Sequence, residues 1–178
     1  MEKQGFGNTT IEEIATKAGV SIGTFYHYFK SKEEIFYDIF KKADEYFESV
    51  VAPALDRADL AGVPVPEQVV SYFRYYAHYN LSRGFGNITQ LYNTKNKIFA
   101  KKGRFMQELL RQVIAKGQER GDFSKEMSSD EATEYMFIVS RGIVYDWCIH
   151  DGAYDLEEKM GSSMRLLLRV MNRQDTVD

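Results

Sequence analysis

The sequence predicts an all-α fold in which a small N-terminal helix-turn-helix head is joined by a connector helix to a larger helical domain. Capped helix starts recur along the chain, and apolar residues follow them at helical spacing. The three prolines all fall between Pro53 and Pro66, which indicates a domain boundary there. We expect residues 1–52 to form the head with its connector helix and residues 53–178 to form the second domain.

The head is predicted from the stretch between Thr10 and Lys32. Thr10 and Glu13 have the spacing of a capping box, in which each side chain bonds the backbone of the other, so a helix should begin there. Gly19 should end this helix because the sharp turn needs a positive φ, which side chains disfavour. Ser21 can then cap a second helix. The residues expected to pack between the two helices are Ile14, Ala15, Ala18, Val20, Phe25 and Tyr28.

The second helix of this motif leaves small or hydrogen-bonding residues outside the packing. They are Ser21, Ile22, Gly23, Thr24, Tyr26 and His27. Such side chains can lie against phosphates and base edges in a major groove, with Thr10 and Lys32 holding the DNA backbone. The alternative is a helical hairpin whose aromatic residues are all core. We favour it less because a core hairpin has no need for an uncharged outer face of small residues.

These residues resemble the signature of the TetR-type (TetR/AcrR-type) transcriptional regulators. The matching positions are Gly5-Phe6, Thr9-Thr10, Ile14-Ala15, Ala18-Gly19-Val20-Ser21, Gly23-Thr24-Phe25-Tyr26, Tyr28-Phe29 and Ser31-Lys32-Glu33. The resemblance implies a homodimer that binds double-stranded operator DNA and holds a small-molecule effector in its second domain. The family places a complete helix before the Gly-Phe pair, whereas only Met1 to Gln4 precede it here. We therefore expect weaker operator binding than the motif alone indicates.

Composition narrows the class of protein further. The formal net charge of −3 and the pI near 5.7 exclude a general nucleic-acid coat, which would need a strongly basic surface. The single cysteine, Cys148, excludes an internal disulfide and fits a reducing compartment. The N-terminus is polar and no apolar run approaches the length of a membrane span. We expect a cytoplasmic protein with no membrane partner.

The connector helix is predicted to begin at a second capping box, formed by Ser31 and Glu34, and to end near Pro53. A loop should follow up to Pro66, and later helices are predicted over 67–82, 87–93, 94–119, 130–150 and 155–172. The 94–119 helix has a basic beginning, made of Lys95, Lys97, Lys101, Lys102 and Arg104. A second nucleic-acid patch is one interpretation, but the scatter of these charges around the helix favours a solvated face.

The last two helices are apolar on more than one side, so each must be covered on more than one face. The simplest partner is a second copy of the chain, giving a four-helix bundle about a two-fold axis. The interface residues we expect are Val144, Tyr145, Cys148, Met160, Met164, Leu167 and Met171. Two heads about 34–36 Å apart would then meet successive major grooves of a palindromic site.

Aromatic residues are abundant in the second domain, and buried tyrosines need partners for their hydroxyls. Several could therefore line a cavity with apolar walls and polar tips, suited to a small apolar or aromatic effector. The residues we expect there are Tyr72, Tyr76, Tyr79, Tyr92, Phe99, Phe105, Met106 and Trp147. The alternative is that all of them are ordinary core.

Patterns for catalysis or metal binding are weak in this sequence. His78 and His150 are isolated, and Cys148 is two residues from His150, which points the two side chains to different helix faces. The short Gly84-Phe85-Gly86 stretch does not make a nucleotide-binding loop. We expect neither an enzyme nor a cofactor or metal.

The function predicted is therefore that of a ligand-responsive transcriptional regulator, a repressor released from its operator by an effector. An effector that favours one arrangement of the second domain would tilt the connector, between Ser31 and Val51, and change the separation of the heads. The alternative from another class is a dimeric small-molecule-binding helical protein with weak or no DNA binding. A helical enzyme is a more distant alternative.

Overall fold

The computed structural model describes the backbone of residues 9–92 and 98–171, with the side chains at these positions except 33, 36–40 and 98. Every regular element in these ranges is helical, so the predicted all-α class is confirmed. Within the same ranges, no helix is long and apolar enough to cross a bilayer. The Gly5-Phe6 part of the family signature and the predicted shortage of a first helix lie outside the described residues.

The head contains helix α1 (Ile11–Ala18) and helix α2 (Ile22–Tyr28). The predicted capping box is present: the Thr10 N–H donates to Glu13 Oε2 at 2.8 Å, and the Glu13 N–H donates to Thr10 Oγ1 at 3.2 Å. Gly19 follows α1 with a φ of 68°, which turns the chain into α2. The helix-turn-helix prediction is confirmed because its signals are all local.

The connector is longer than predicted. It consists of α3 (Lys32–Tyr46), a π-helical segment (Phe47–Val51) and α4 (Ala52–Leu60), in direct succession. The predicted end near Pro53 is wrong, since Pro53 lies in the first turn of α4. The loop before the next helix is accordingly confined to residues 61–64.

The π segment explains why the proline is tolerated inside this succession of helices. In a regular α-helix a proline ring clashes with the carbonyl four residues earlier. Here the Ala52 N–H donates to the carbonyl of Phe47, five residues back, so the turn just before Pro53 is widened. The sequence shows the proline but not this change of register.

The prediction of a second capping box, at Ser31 and Glu34, is also wrong. Ser31 occupies the N-cap position of α3, but its side chain makes no capping hydrogen bond. The carboxylate of Glu34 instead accepts from the backbone N–H of Lys30. The start of α3 is therefore held from the preceding turn.

Five further helices follow. They are α5 (Val65–Ser82), α6 (Phe85–Leu91), α7 (Phe105–Arg120), α8 (Ser129–Ile149) and α9 (Leu156–Met171), with a short 3-10 turn at Ile98–Ala100. The helix predicted over 94–119 begins only at Phe105, because Gly103 has a φ of 76° and Arg104 is extended. The other predicted ranges agree to within about two residues.

Helix α5 is the centre of the second domain and packs against α4, α7 and α9. Its Tyr72 and Phe73 are fully buried, together with Phe47 of the π segment and Met164 of α9. Full burial of an apolar side chain of this size contributes roughly 1.5–3 kcal/mol. The π segment is thus anchored in the same core as the rest of the domain.

Most residues predicted for a dimer interface lie inside the protomer. Val144, Met160 and Met164 are fully buried, Cys148 is nearly so, and Leu167 and Met171 pack partly buried against the core. Among the predicted set, Tyr145 is the one with a largely exposed side chain, at 47%. The prediction selected the wrong stripe because both faces of α8 and α9 are apolar and a sequence does not show which one covers α5.

Candidate functional site

The six residues predicted for the outer face of α2 are all exposed. Ser21 caps the helix, since its Oγ accepts from the Thr24 N–H at 3.0 Å and lies 2.9 Å from Thr24 Oγ1. Ile22 is 44% exposed and Tyr26 52% exposed. The surface is uncharged and offers hydroxyl, imidazole and apolar groups, which are the groups that contact base edges and phosphates.

Three residues predicted to pack between α1 and α2 are exposed instead. Phe25 and Ala15 are buried as expected, but Val20 and Tyr28 are 39% and 72% exposed, and Ala18 is exposed as well. Tyr28 is the last residue of this seven-residue helix, and Phe25 is its buried residue. The Tyr28 ring stands edge-on to His27, with ring centres 5.1 Å apart, and extends the aromatic part of the outer face.

Lys32 is held within the head. Its Nζ donates to the carbonyl of Thr9 at 3.0 Å, which ties the start of α3 to the residue before Thr10. Both positions predicted to hold the DNA backbone thus border one junction at the edge of the head. Their contact with phosphate stays a prediction.

The second domain contains a partly open cavity of about 50 Å³. It is lined by residues of α3, the π segment, α5, the end of α6, the start of α7 and α8, and by residues between α6 and α7. The apolar lining residues are Ala43, Phe47, Leu91, Phe99, Met106 and Phe137. The neutral polar ones are Tyr76, Tyr79, Asn80, Tyr92 and Gln107. Three cations also line the cavity: Lys101, Arg104 and Arg141. This volume has room for a few water molecules. It is well below the roughly 300 Å³ at which ligand pockets usually begin, so a larger ligand must widen it.

Two tyrosines hold one wall of the cavity closed. The hydroxyls of Tyr76 and Tyr92 lie 2.6 Å apart, and the Tyr92 ring packs on Phe99 with centres 4.6 Å apart. Burial raises the pKa of both hydroxyls, that of Tyr92 well above its ordinary value, so both remain neutral. They offer hydrogen bonds without adding charge.

Two arginines bring positive charge to this largely apolar space. Arg141 donates from Nη1 to the carbonyl of Phe99 at 3.1 Å, with its guanidinium 5.9 Å from the centre of that ring. Arg104 donates from Nη2 to Asp44 Oδ1 at 3.2 Å, and the same oxygen accepts from the Met106 N–H at 3.4 Å. We name Asp44, Arg104 and the Met106 N–H the proximal clamp. It joins α3 to the start of α7.

The structure brings part of the predicted effector-pocket set together at this cavity. Tyr76, Tyr79, Tyr92, Phe99 and Met106 line the cavity, whereas Tyr72, Phe105 and Trp147 do not. Tyr72 lies one layer behind, donating to the Met106 carbonyl at 2.6 Å. Phe105 is 38% exposed, and Trp147 packs against Phe85 and donates to the Tyr154 carbonyl at 2.9 Å.

The cavity cations were missed as site residues. Arg104 was interpreted as part of a solvated basic face, and its burial depends on Asp44, which is 60 positions away. Arg141 carried a usable signal, because it is the single basic residue of helix α8. A cation in such a helix usually needs a buried partner or a ligand.

A second aspartate joins the other end of α7 to the connector. Asp59 Oδ1 accepts from Arg120 Nη1 at 2.6 Å, from Lys116 Nζ at 3.1 Å and from Gln68 Nε2 at 3.2 Å. Oδ2 accepts from Arg120 Nη2 at 3.2 Å. The Arg120 guanidinium, with Gln68 and Lys116, holds the pKa of the Asp59 carboxyl well below its usual range. We name these four residues the distal clamp.

The fold and the outer face of α2 define a helix-turn-helix protein with a helical second domain, and comparison with known proteins places it in a family. A family model described as bacterial regulatory proteins, tetR family, matches residues 1–39. A second, described as the C-terminal region of YsiA-like proteins, matches residues 89–170. The two models together span more than half of the chain, which belongs to the TetR family of transcriptional regulators.

Similar proteins cover most of the chain. The fatty acid metabolism regulator protein of Bacillus subtilis (strain 168) is 25% identical over 177 residues, covering 93% of this chain and 87% of the relative. The crystal structure of FadR from Bacillus subtilis in complex with stearoyl-CoA has a TM-score of 0.68 at 22% identity, covering 92% of this chain and 89% of that one. Thermus thermophilus FadR in complex with lauroyl-CoA has a TM-score of 0.62 at 21% identity, covering 99% and 92%. At these identities the structures establish the fold. The relatives are transcriptional regulators rather than enzymes.

Proposed function

We propose that this TetR-family regulator is a homodimeric repressor that leaves a palindromic operator when a fatty acyl thioester of coenzyme A enters its second domain. The observation that carries the proposal is the pairing of two features in one chain. An uncharged, exposed recognition surface lies on α2, and a largely apolar cavity with three cations lies beside the connector that leads to it.

The DNA contacts we propose are made by α2. Its six outer residues provide hydroxyl and imidazole hydrogen bonds, and Tyr26 and Ile22 provide apolar area for a thymine methyl group. The weakly charged surface predicts modest affinity for one head. Two heads on one duplex then supply the affinity that a single head lacks.

The effector class is proposed from the cavity chemistry and from the relatives. Two FadR structures contain stearoyl-CoA and lauroyl-CoA. Phe47, Phe99 and Phe137 suit an acyl chain, and the three cations suit a carboxylate or phosphate. Because the cavity is too small for an acyl chain as it stands, binding must move its walls. This movement provides the coupling to DNA.

The dimer face we propose is the exposed stripe of α8 and α9. On α8, Tyr135, Ile138, Gly142, Tyr145 and Ile149 are exposed at spacings of three and four residues, and Leu166 and Val170 continue the face on α9. This spacing is typical of helices that pack against a partner along one seam. Replacing Ile138 by Asp should turn a dimer into a monomer in sedimentation experiments, and an unchanged dimer would assign the interface elsewhere.

The whole proposal is tested by fluorescence anisotropy of the DNA upstream of the protein's own gene, across a salt series. We expect specific binding that weakens steeply with salt and is reversed by lauroyl-CoA. Tyr26→Ala should reduce the affinity by about tenfold or more, the value of one good base contact. Leu60→Ala, at an exposed position remote from α2, is the matched control. If the affinity depended neither on the DNA sequence nor on the Tyr26→Ala replacement, the regulator proposal would be contradicted.

A further inference from the structure

The proximal clamp lies where the cavity wall meets the connector helix. Arg104 is both a lining residue of the cavity and the partner of Asp44, and its side chain is only 13% exposed. Asp44, 26% exposed, belongs to α3, three residues before Phe47, whose ring is also part of the wall. One guanidinium therefore faces the ligand space and the element that leads to the head.

The charges around this guanidinium are unequally divided. Among the described residues that line the cavity there are three cations, Lys101, Arg104 and Arg141, and no carboxylate. The negative charge nearest to Arg104 in the described structure comes from Asp44, at the cavity edge. A cavity with this charge attracts an anion. An anion that reaches Arg104 must compete with the Asp44 carboxylate for the guanidinium.

We propose that Arg104 is the ligand-sensing residue: an anionic group attached to an apolar chain takes Arg104 from Asp44 and so weakens the attachment of the connector to α7. The proposal rests on the proposed function, because it specifies how the same cavity controls the head. A guanidinium binds a carboxylate or phosphate through two parallel N–H donors. Its Nη2 donates to Asp44 Oδ1 at 3.2 Å, so the same donor that holds the connector would be used to bind a ligand anion.

The transfer of Arg104 from Asp44 to a ligand anion, which we call the exchange, has a direct structural consequence for the connector. Without Arg104, Asp44 keeps the longer bond from the Met106 N–H, at 3.4 Å. The π segment begins three residues later, and π segments frequently lie at functional sites. The distal clamp holds the far end of the connector, so a shift at Asp44 moves the head relative to the second domain. By linkage, bound DNA opposes the same exchange.

The test compares Asp44→Asn with Asp59→Asn. Both variants remove one negative charge from the connector, so any general electrostatic effect on DNA binding is shared. Asparagine at position 44 keeps an oxygen for the Met106 N–H and removes the charge that holds Arg104. Three probes of the same chain length separate the chemistry: lauroyl-CoA carries phosphates, lauric acid carries a carboxylate, and 1-dodecanol is neutral. Their affinities are measured by calorimetry, and DNA release is measured by anisotropy.

We expect Asp44→Asn to bind an anionic probe about tenfold more tightly and DNA about tenfold more weakly, in the usual range of allosteric coupling. Asp59→Asn should match the wild type in both measurements. Dodecanol should bind both variants equally and should release no DNA. Whichever of lauroyl-CoA and lauric acid responds to Asp44→Asn is the source of the anion that reaches Arg104.

The outcomes separate this inference from the proposed function. If Asp44→Asn binds both anionic probes and DNA like the wild type, the exchange is overturned although the regulator stands. If the wild type ignores DNA but Asp44→Asn still binds an anionic probe more tightly, the exchange stands and the regulator proposal fails. Binding of none of the probes overturns both. Should Asp44→Asn fail to fold, Asp44→Ser makes the same test, because it also removes the charge and retains an oxygen.

Discussion

The connector is tied to α7 by two aspartates, and the two clamps differ in strength and surroundings. The distal clamp surrounds Asp59 with four donor groups, the shortest at 2.6 Å, and lies away from the cavity. The proximal clamp gives Asp44 one guanidinium N–H at 3.2 Å and one backbone N–H at 3.4 Å, beside the cavity. The two helices run side by side in the same direction, so one end is firmly held and the other can be released. This difference would allow the connector to act as a lever, moving at Asp44 while it stays fixed at Asp59.

The largest effect should come from removing the sensing arginine. Arg104→Gln opens the proximal clamp without ligand and removes the cation that a ligand anion would bind. We therefore expect DNA affinity to fall about tenfold, as for Asp44→Asn, and the remaining complex to need about a hundredfold more lauroyl-CoA for release. The measurement is a titration of the protein–DNA complex followed by anisotropy. Arg120→Gln removes one arginine from the distal clamp and is the matched control, with release expected near the wild-type concentration. If both variants lost their response to lauroyl-CoA equally, the two clamps would not differ in function.

The next effect concerns packing at the distal end. A Cβ added at Gly117 would lie 2.7 Å from Cε2 of Phe123 and 3.0 Å from Cγ1 of Val65. We expect Gly117→Ala to lower the free energy of unfolding by about 1–3 kcal/mol, as overpacking does. Chemical denaturation measures it, and Phe123→Leu in the same chain should recover part of the loss.

Gly103, at the proximal end, is the contrasting position. A Cβ there would meet no atom of the described residues within 4 Å, but the φ of 76° makes alanine strained by about 1 kcal/mol. Phe123→Leu should give Gly103→Ala no recovery. A recovery there would show that the two ends are not packed independently.

Asp59→Asn should have a smaller effect on stability, and this effect should depend on pH. Because its carboxyl pKa is lowered in the folded state, the distal clamp stabilises the protein above the unfolded pKa of about 3.9 and loses this contribution as the pH falls further. The melting temperature should therefore drop by a few degrees at pH 7. Denaturation at pH 7, pH 5 and pH 3 should show the gap between variant and wild type narrowing at the lowest pH. A gap that widens there would contradict the assigned sign.

The smallest effect should come from the tyrosine pair beside the proximal clamp. A double-mutant cycle of Tyr76→Phe and Tyr92→Phe should give a coupling energy of about 1 kcal/mol, typical of one buried neutral hydrogen bond. The same cycle on ligand affinity shows whether the pair must open for an acyl chain. Zero coupling in stability would mean that the pair does not hold the cavity closed.

The head was predictable from sequence because its signals are local. Thr10 with Glu13, Gly19 and Ser21 act over three or four residues, and each appears in the structure where expected. The end of the connector was not predictable in this way. Pro53 ordinarily marks a helix end, and the five-residue register before it has no sequence signature.

The cavity was predictable only in its aromatic part. Tyr76, Tyr92 and Phe99 could be expected from the need of buried hydroxyls for partners. Arg104 could not, since its role depends on a contact with Asp44 across 60 positions of chain. The dimer face failed for a related reason: Met160 and Met164 have the apolar spacing of an interface, and three-dimensional packing places them in the core.

The most direct measurement of the lever is a pair of distances between spin labels in the full chain with Cys148 replaced by Ala. One label pair, at Glu48 and Phe105, reports the proximal end, and the other, at Arg57 and Glu119, reports the distal end; all four positions are exposed. With saturating lauroyl-CoA we expect the proximal distance to lengthen and the distal distance to stay unchanged. Equal changes at both ends, or no change at either, would contradict release of the proximal clamp as the event that controls the head.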